Sequence, residues 1–339
     1  IAVAGSMHVN AGAGISNDSV ISTGGNLVME TDGGFINTGD LFTFSSLGIT
    51  TGSNFDNYGN IKSGGDSWIS AGDMLTNHNT GLIVSDGILD LRAVNDLVNA
   101  QGYLEGRDVS LTSELGSIIN RTEYEHITYD YGTGSRTHTV VGDSSTIVSH
   151  NSLSMTAGKD LDLQGSNFKA DSDIRLNAGN DILLNGIERR AASAETTNKI
   201  SVVKKETSWD VVSLDAGGNL ILSAGRDIAG QGTQMSAGNI ASLTAGRDVN
   251  LAAVANSTHN EDIRSRKKVI DTTVTHTQAN ITSGADTFIK AGQDINLTGT
   301  NVNAEGNIFL SAERDTNIAS VNDSEYHYDY TKQKKSFGR

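Results

Sequence analysis

Six aspartates constrain this chain more than anything else in it. Asp160, Asp181, Asp227, Asp248, Asp294 and Asp315 recur along it at intervals of 21, 46, 21, 46 and 21. Five of them close an Ala-Gly-x-Asp quartet, with Gly158, Gly179, Gly225, Gly246 and Gly292, as in "AGKDLDL", "AGNDILL" and "AGQDINL". Alternating apolar residues follow: Leu161 and Leu163, Ile182 and Leu184, Val249 and Leu251, Ile295 and Leu297. That is the period of a strand with one face buried. A weaker series, Asp173, Asn219, Asn239, Asp286 and Asn307, opens a second strand eight or nine positions earlier. Each short interval thus carries two short strands and room for a third. Self-similarity at about 20 residues, without helical periodicity, means a solenoid.

Residue types select which solenoid. The chain has 38 Gly, no Pro, no Cys and 5% aromatics among its 339 residues, so it can fill only a narrow aliphatic core. The Leu-x-x-Leu-x-Leu frame of leucine-rich repeats is absent. Short aliphatic strands between Gly, Asn and Asp turns fit a parallel β-helix whose coils stack about 4.8 Å apart. Glycine is expected to supply positive φ at the corners and Asx side chains to bond the backbone there. Proline would remove a donor from a ladder paired on both sides, and there is none. The expected fold is all-β: a right-handed parallel β-helix with projecting β-hairpin insertions, the hand following from the crossover rule.

Residues 1–119 read as β-helix with a looser repeat. Insertions then interrupt the coils at 120–141, 187–206, 254–275 and 321–339, leaving coils at 142–186, 207–253 and 276–320. The insertions are too long for turns and read as hairpin arms. They hold 15 of the 25 Lys and Arg but 12 of the 40 Asp and Glu, and six of the eight Tyr. With a chain net charge of −15, the arms carry +3 and the shaft −18. Such a balance argues against nucleic acid as a partner. No apolar run is long enough for a membrane-spanning helix. The first residue is Ile and no signal-peptide pattern follows, which reads as an internal piece of a longer polypeptide.

The "AGxDxxL" coils, the long interval that alternates with the short one, and the arm "EYHYDYTKQKKSFGR" resemble the haemagglutinin repeats of the filamentous haemagglutinin family. These are the exoproteins of two-partner secretion, including adhesins and contact-dependent growth inhibition proteins. The resemblance covers nearly the whole chain and is strongest from Ala157 to Ile318. It implies a rod on the outer surface of a Gram-negative bacterium, an outer-membrane partner transporter acting on a region outside these residues, and a receptor or glycan on a target cell. It further implies that an adhesive or toxin-bearing tip lies elsewhere. The family's secretion motif, Tyr/Pro-rich segment and pretoxin junction are absent from these residues.

Several clusters invite chemistry. Asp160 with Asp162, and Asp171 with Asp173, have the spacing of paired carboxylates in a β-helix lyase or hydrolase, but their Gly and Asn neighbours make them corner residues. A stacked Asp column offers oxygens to calcium, yet positions 159, 226, 247 and 314 are Lys or Arg. Histidines 126, 138, 259, 276 and 327 lack metal-ligand spacing. Tyr124, Tyr129 and Tyr131, like Tyr326, Tyr328 and Tyr330, read as aromatic stripes that either stack on a ligand or hold their hairpins together. Arg264, Arg266, Lys267 and Lys268, with Lys332, Lys334 and Lys335, have the chemistry for phosphates or sulfated glycans, or else serve solubility. No catalytic or cofactor motif is present, so an enzyme is not expected and no cofactor is assigned.

Overall fold

The computed structural model describes residues 1–333, and these contain strands and turns but no helix. Each coil makes three short strands. They stack in register on the coils before and after, giving three parallel sheets that run the length of the rod. Sheet I begins at Ala2–Val3, sheet II at Met7–Ala11 and sheet III at Gly14–Asn17. Sheets I and II merge into one 22-stranded sheet because Leu82–Ala93 and Tyr103–Ser113 run through both, while sheet III has twelve strands. The fold is therefore a parallel β-solenoid.

The alternation read from the sequence places one residue in two inside. Leu161, Leu163, Ile182, Leu184, Ile228, Val249, Leu251 and Ile295 are all buried and stack coil upon coil in one aliphatic core. Because like lies on like, each inward methyl meets its counterpart at the sheet spacing, and burial contributes roughly 1.5–3 kcal/mol per large side chain. Phe35 and Phe55 stack the same way, ring centroids 5.4 Å apart.

Among the inter-coil ladders of side chains that supplement the backbone, two run through five or more coils. In the first coils, Met7, Leu27, Leu47 and Ser67 are register partners, a repeat slightly shorter than the one the aspartates mark. Buried Asn17, Asn37, Asn57, Asn77, Asn99 and Asn120 line one column of sheet III there. Each Nδ2 donates to the Oδ1 of the next, at 2.7–2.8 Å. The same amides bridge the turn that leaves sheet III, donating to Gly39 O, Gly59 O, Gly81 O and Gly102 O. Asn120 ends the run: its register partner is Leu163, and its Nδ2 has no acceptor.

From there the chief ladder runs along the outer corner between sheets II and III, where Asp96 already accepts from Ser117 N–H at 2.8 Å and where the aspartates stand. Oδ1 of Asp160, Asp181, Asp227, Asp248 and Asp294 each accepts from the backbone N–H of the next aspartate, at 3.0–3.2 Å. Arginine from the following coil grips the carboxylate: Arg226 on Asp181, Arg247 on Asp227 and Arg314 on Asp294. The Arg247 bond holds Asp227 below the usual carboxylate range, as Arg314 does for Asp294.

The expectation of positive-φ glycine holds at one corner and not at another. The quartet glycines do not have positive φ. A Cβ on Gly179 would collide with the carbonyl oxygen of Gly158 directly below, and the same holds up the column for Gly225, Gly246 and Gly292. Close stacking, not a left-handed corner, excludes larger residues there. Positive φ belongs instead to Gly165, Gly232 and Gly299, at 54–62°, which turn the chain from sheet III to sheet I in every second coil.

In the coils between, that turn is replaced by an arm. Two coils rise about 10 Å, and a two-stranded hairpin is about 10 Å wide. Arms placed every second coil therefore meet edge to edge, and they form one seven-stranded antiparallel sheet alongside the rod.

Candidate functional site

The sheet of arms is where the basic, aromatic and imidazole side chains gather. Arm one pairs Tyr124–Tyr131 with Gly134–Val141, arm two Ile187–Thr196 with Ile200–Asp210, and arm three Val254–Arg264 with Lys267–Thr277. Arm four contributes Ser324–Thr331. Neighbouring arms also pair: Gly134–His138 with Ala191–Glu195, Ile200–Thr207 with Ser257–Arg264, and Lys267–Val274 with Ser324–Thr331. Among the described residues of these strands, only Ile187 and Val254, at the bases, are buried. It is a single layer open on both sides, held by its ladder and by cross-strand pairs.

The strand registers sort the tyrosines. Tyr129 and Tyr131 share a face with Arg136, His138, Arg264 and Lys267, whereas Tyr326, Tyr328 and Tyr330 share the opposite face with Tyr124 and Lys268. Tyr124 and Tyr129 are five apart, an odd spacing that alternation sends to opposite sides. The reading of all three as one stripe is thereby corrected. The two outermost strands carry these sets, six strand spacings or about 29 Å apart. Tyr129 stacks on His138 at 5.8 Å and Tyr124 meets His126 edge-on at 5.5 Å, yet both tyrosines stay substantially exposed.

On the face of Tyr129, Arg136, His138, Ser193, Lys204, Glu206 and Asn260 border a shallow hollow of about 400 Å³ that crosses arms one to three. Several cations are already paired: Arg264 forks onto Asp262 at 2.9–3.1 Å, Lys268 reaches Glu261 at 3.1 Å, and Lys267 lies 3.8 Å from Asp329. Arg266 sits in the turn of arm three and makes no ion pair among the described residues. Lys332 follows the last strand, and Lys334 and Lys335 lie outside the described residues.

Histidines fasten arm four to arm three. His327 Nδ1 is 2.5 Å from Asp271 Oδ1, and His276 Nδ1 is 2.9 Å from Asp323 Oδ1. The Asp271 carboxylate raises the His327 pKa. Sequence reasoning named these histidines only as unsuited to metal; each finds its partner on a different arm, far along the chain, and no local motif announces the pairing.

The carboxylates singled out for hydrolytic chemistry are engaged in the shaft. Asp160 accepts from Asp181 N–H, and Asp173 accepts from Asn219 N–H at 2.7 Å, the bond chiefly responsible for its lowered pKa. Burial pushes the Asp162 carboxyl up, while Asn185 is its hydrogen-bond partner.

A family model described as Hemagglutinin repeat matches residues 129–206, 196–270 and 264–337. Among curated relatives, a tRNA nuclease CdiA of Escherichia coli strain STEC_O31 is 35% identical over 78% of the chain. A 16S rRNA endonuclease CdiA of Enterobacter cloacae is 30% identical over 79%, and a Deoxyribonuclease CdiA of Dickeya dadantii 29% over 69%. The matched segment makes up only 7–8% of the length of these relatives. No solved structure matches the chain. Repeat, coil and arm agree, and the chain belongs to the hemagglutinin-repeat family of filamentous haemagglutinin and contact-dependent growth inhibition exoproteins.

Proposed function

We propose that this chain is a non-catalytic rod segment of a cell-surface exoprotein, one that holds an adhesive or toxin-bearing tip away from a Gram-negative cell. One observation carries the reading. Three relatives are named for cleaving tRNA, 16S rRNA and DNA, yet all align with this same segment at 29–35% identity. A part common to enzymes of different substrates is not what chooses the substrate. Repetition supplies what a spacer needs: twelve coils span about 60 Å, each braced by its neighbours. In the parent, an outer-membrane partner transporter exports the rod by way of another region, and the tip meets a receptor or glycan on a neighbouring cell.

The open, aromatic and cationic sheet of arms favours a second reading, in which the arms themselves grip the target envelope. The two separate in the full-length parent displayed on producing cells. Replacing Tyr326, Tyr328 and Tyr330 with Ser, and in a second variant Tyr129 and Tyr131, leaves target killing or adhesion unchanged if the segment is a spacer. Loss of either activity with surface display intact overturns the spacer reading in favour of the arms.

A further inference from the structure

Trp68 occupies an outward position of sheet II in a coil that bears no arm, and 43% of it is exposed. Its register partner in the coil below is Gly48, the second residue of the strand Leu47–Thr51. Glycine inside a strand weakens it and marks a close approach. Here the approach is the indole itself: a Cβ on Gly48 would collide with Cε2 and Cζ2 of Trp68. One face of the ring therefore lies on the backbone of the neighbouring coil, and the other is presented to solvent. In the coil above, Asp90 is the register partner of Trp68, and Arg92 pairs with it at 3.1 Å.

The strand that carries Asp90, Leu82–Ala93, runs on into sheet I and there borders a second feature. Phe42, Phe44, Lys62, Val84 and Asp86 flank an open groove of about 390 Å³, with Phe44 80% exposed. Asp86 and Asp90 are four positions apart on this strand, across an irregularity between Ser85 and Ile88, so at most about 13 Å separates them along it. A pinned indole and an aromatic groove thus lie on the outward faces of adjoining sheets, each with a carboxylate and a cation at its margin.

We propose that this surface binds a neutral oligosaccharide. A pyranose offers an apolar C–H face to an aromatic ring and hydroxyls around its edge, which donate to Asp86 and Asp90 and accept from Lys62 and Arg92. An apolar peptide would bury those four charges without replacing their water. A nucleic acid or sulfated glycan also stacks or bonds here, but residues 1–119 carry thirteen acidic side chains against three basic ones and repel a polyanion. Neutrality of the ligand follows from that excess. The site is separate from the arms and does not depend on the reading of their role.

The test uses the whole chain on an array of neutral gluco-, galacto-, manno- and N-acetylhexosamine oligosaccharides, with sulfated and phosphorylated glycans alongside. Retention on a neutral series is expected, weakened at least tenfold by Trp68→Ala and by Gly48→Val, which displaces the indole while keeping it. Trp68→Ala removes only an outward side chain, so unchanged far-UV circular dichroism keeps it interpretable if Gly48→Val misfolds. Failure to bind any neutral glycan, retention of anionic glycans alone, or binding that survives Trp68→Ala overturns the proposal.

Discussion

The arm-free coils and the arm-bearing coils solve one problem in two ways. Both stack the same three strands, but the long ladder of the first is of buried amides and that of the second is of carboxylates at the outer corner. In sheet III the column of Asn17 to Asn120 gives way to Leu163, Leu184, Gly230, Leu251 and Leu297. The reason is the neighbouring turn. Where it is tight, an amide inside the corner bonds both the next coil and the turn carbonyl. Where a hairpin replaces the turn, the amide of Asn120 is already left without an acceptor. The ladder then moves to the surface, where water and arginine satisfy what the stack does not.

Swapping the two solutions should cost most. Asn57→Leu, though leucine fills the same column higher up, leaves Asn77 Oδ1 and one of the two N–H groups of Asn37 Nδ2 unpaired, the other keeping Gly39 O. At roughly 1–3 kcal/mol per orphaned group, a loss of about 4 kcal/mol is expected in denaturant unfolding. A change below about 1 kcal/mol, the size of one ordinary hydrogen bond, would mean that the amides are not a ladder. Next comes Gly179→Ala, whose methyl group meets backbone rather than a movable side chain; overpacking of this kind costs about 1–3 kcal/mol. Asp227→Ala is smaller, about 1 kcal/mol for the lost bond to Asp248 N–H. Asp227→Asn keeps that acceptor and should fall between this variant and wild type.

Acid sharpens the contrast further. Asp173, Asp227 and Asp294 have depressed pKa values, so their stabilisation is present above the unfolded value of about 3.9 and is lost as pH falls through the lower folded one. The asparagine ladder does not titrate. Region-resolved hydrogen exchange from pH 5 to pH 2 should show the arm-bearing coils opening first; simultaneous opening would remove the distinction. The smallest effect concerns arm four. The His327 pKa is raised, so its contribution is complete below about 6.5 and fades as pH rises through the folded value. Protection of Ser324–Thr331 should decline between pH 6 and pH 8, and His327→Gln should abolish that dependence.

The coil was legible in the sequence because aliphatic alternation and the stacked aspartates are local and periodic. The asparagine column was present too, spaced by 20 to 22 and with Gly two to four positions after four of its six members, but it hides in an Asn-rich background. The aromatic stripes misled because pattern-matching "YEHITYDY" to "SEYHYDY" ignores parity: Tyr124 and Tyr129 cannot share a face. Fusion of the arms was invisible for a different reason. It depends on the width of a hairpin equalling the rise of two coils, a relation between distances that no single stretch of residues encodes.

That equality has a genetic consequence. In the arm-free half, gaining or losing the length of one coil leaves every neighbour in register. In the arm-bearing half the same change would shift each later hairpin by half its width and break the lateral sheet. Insertions and deletions there are tolerated only in blocks that carry two coils and their arm together, so the two halves of the rod lengthen in different quanta during evolution.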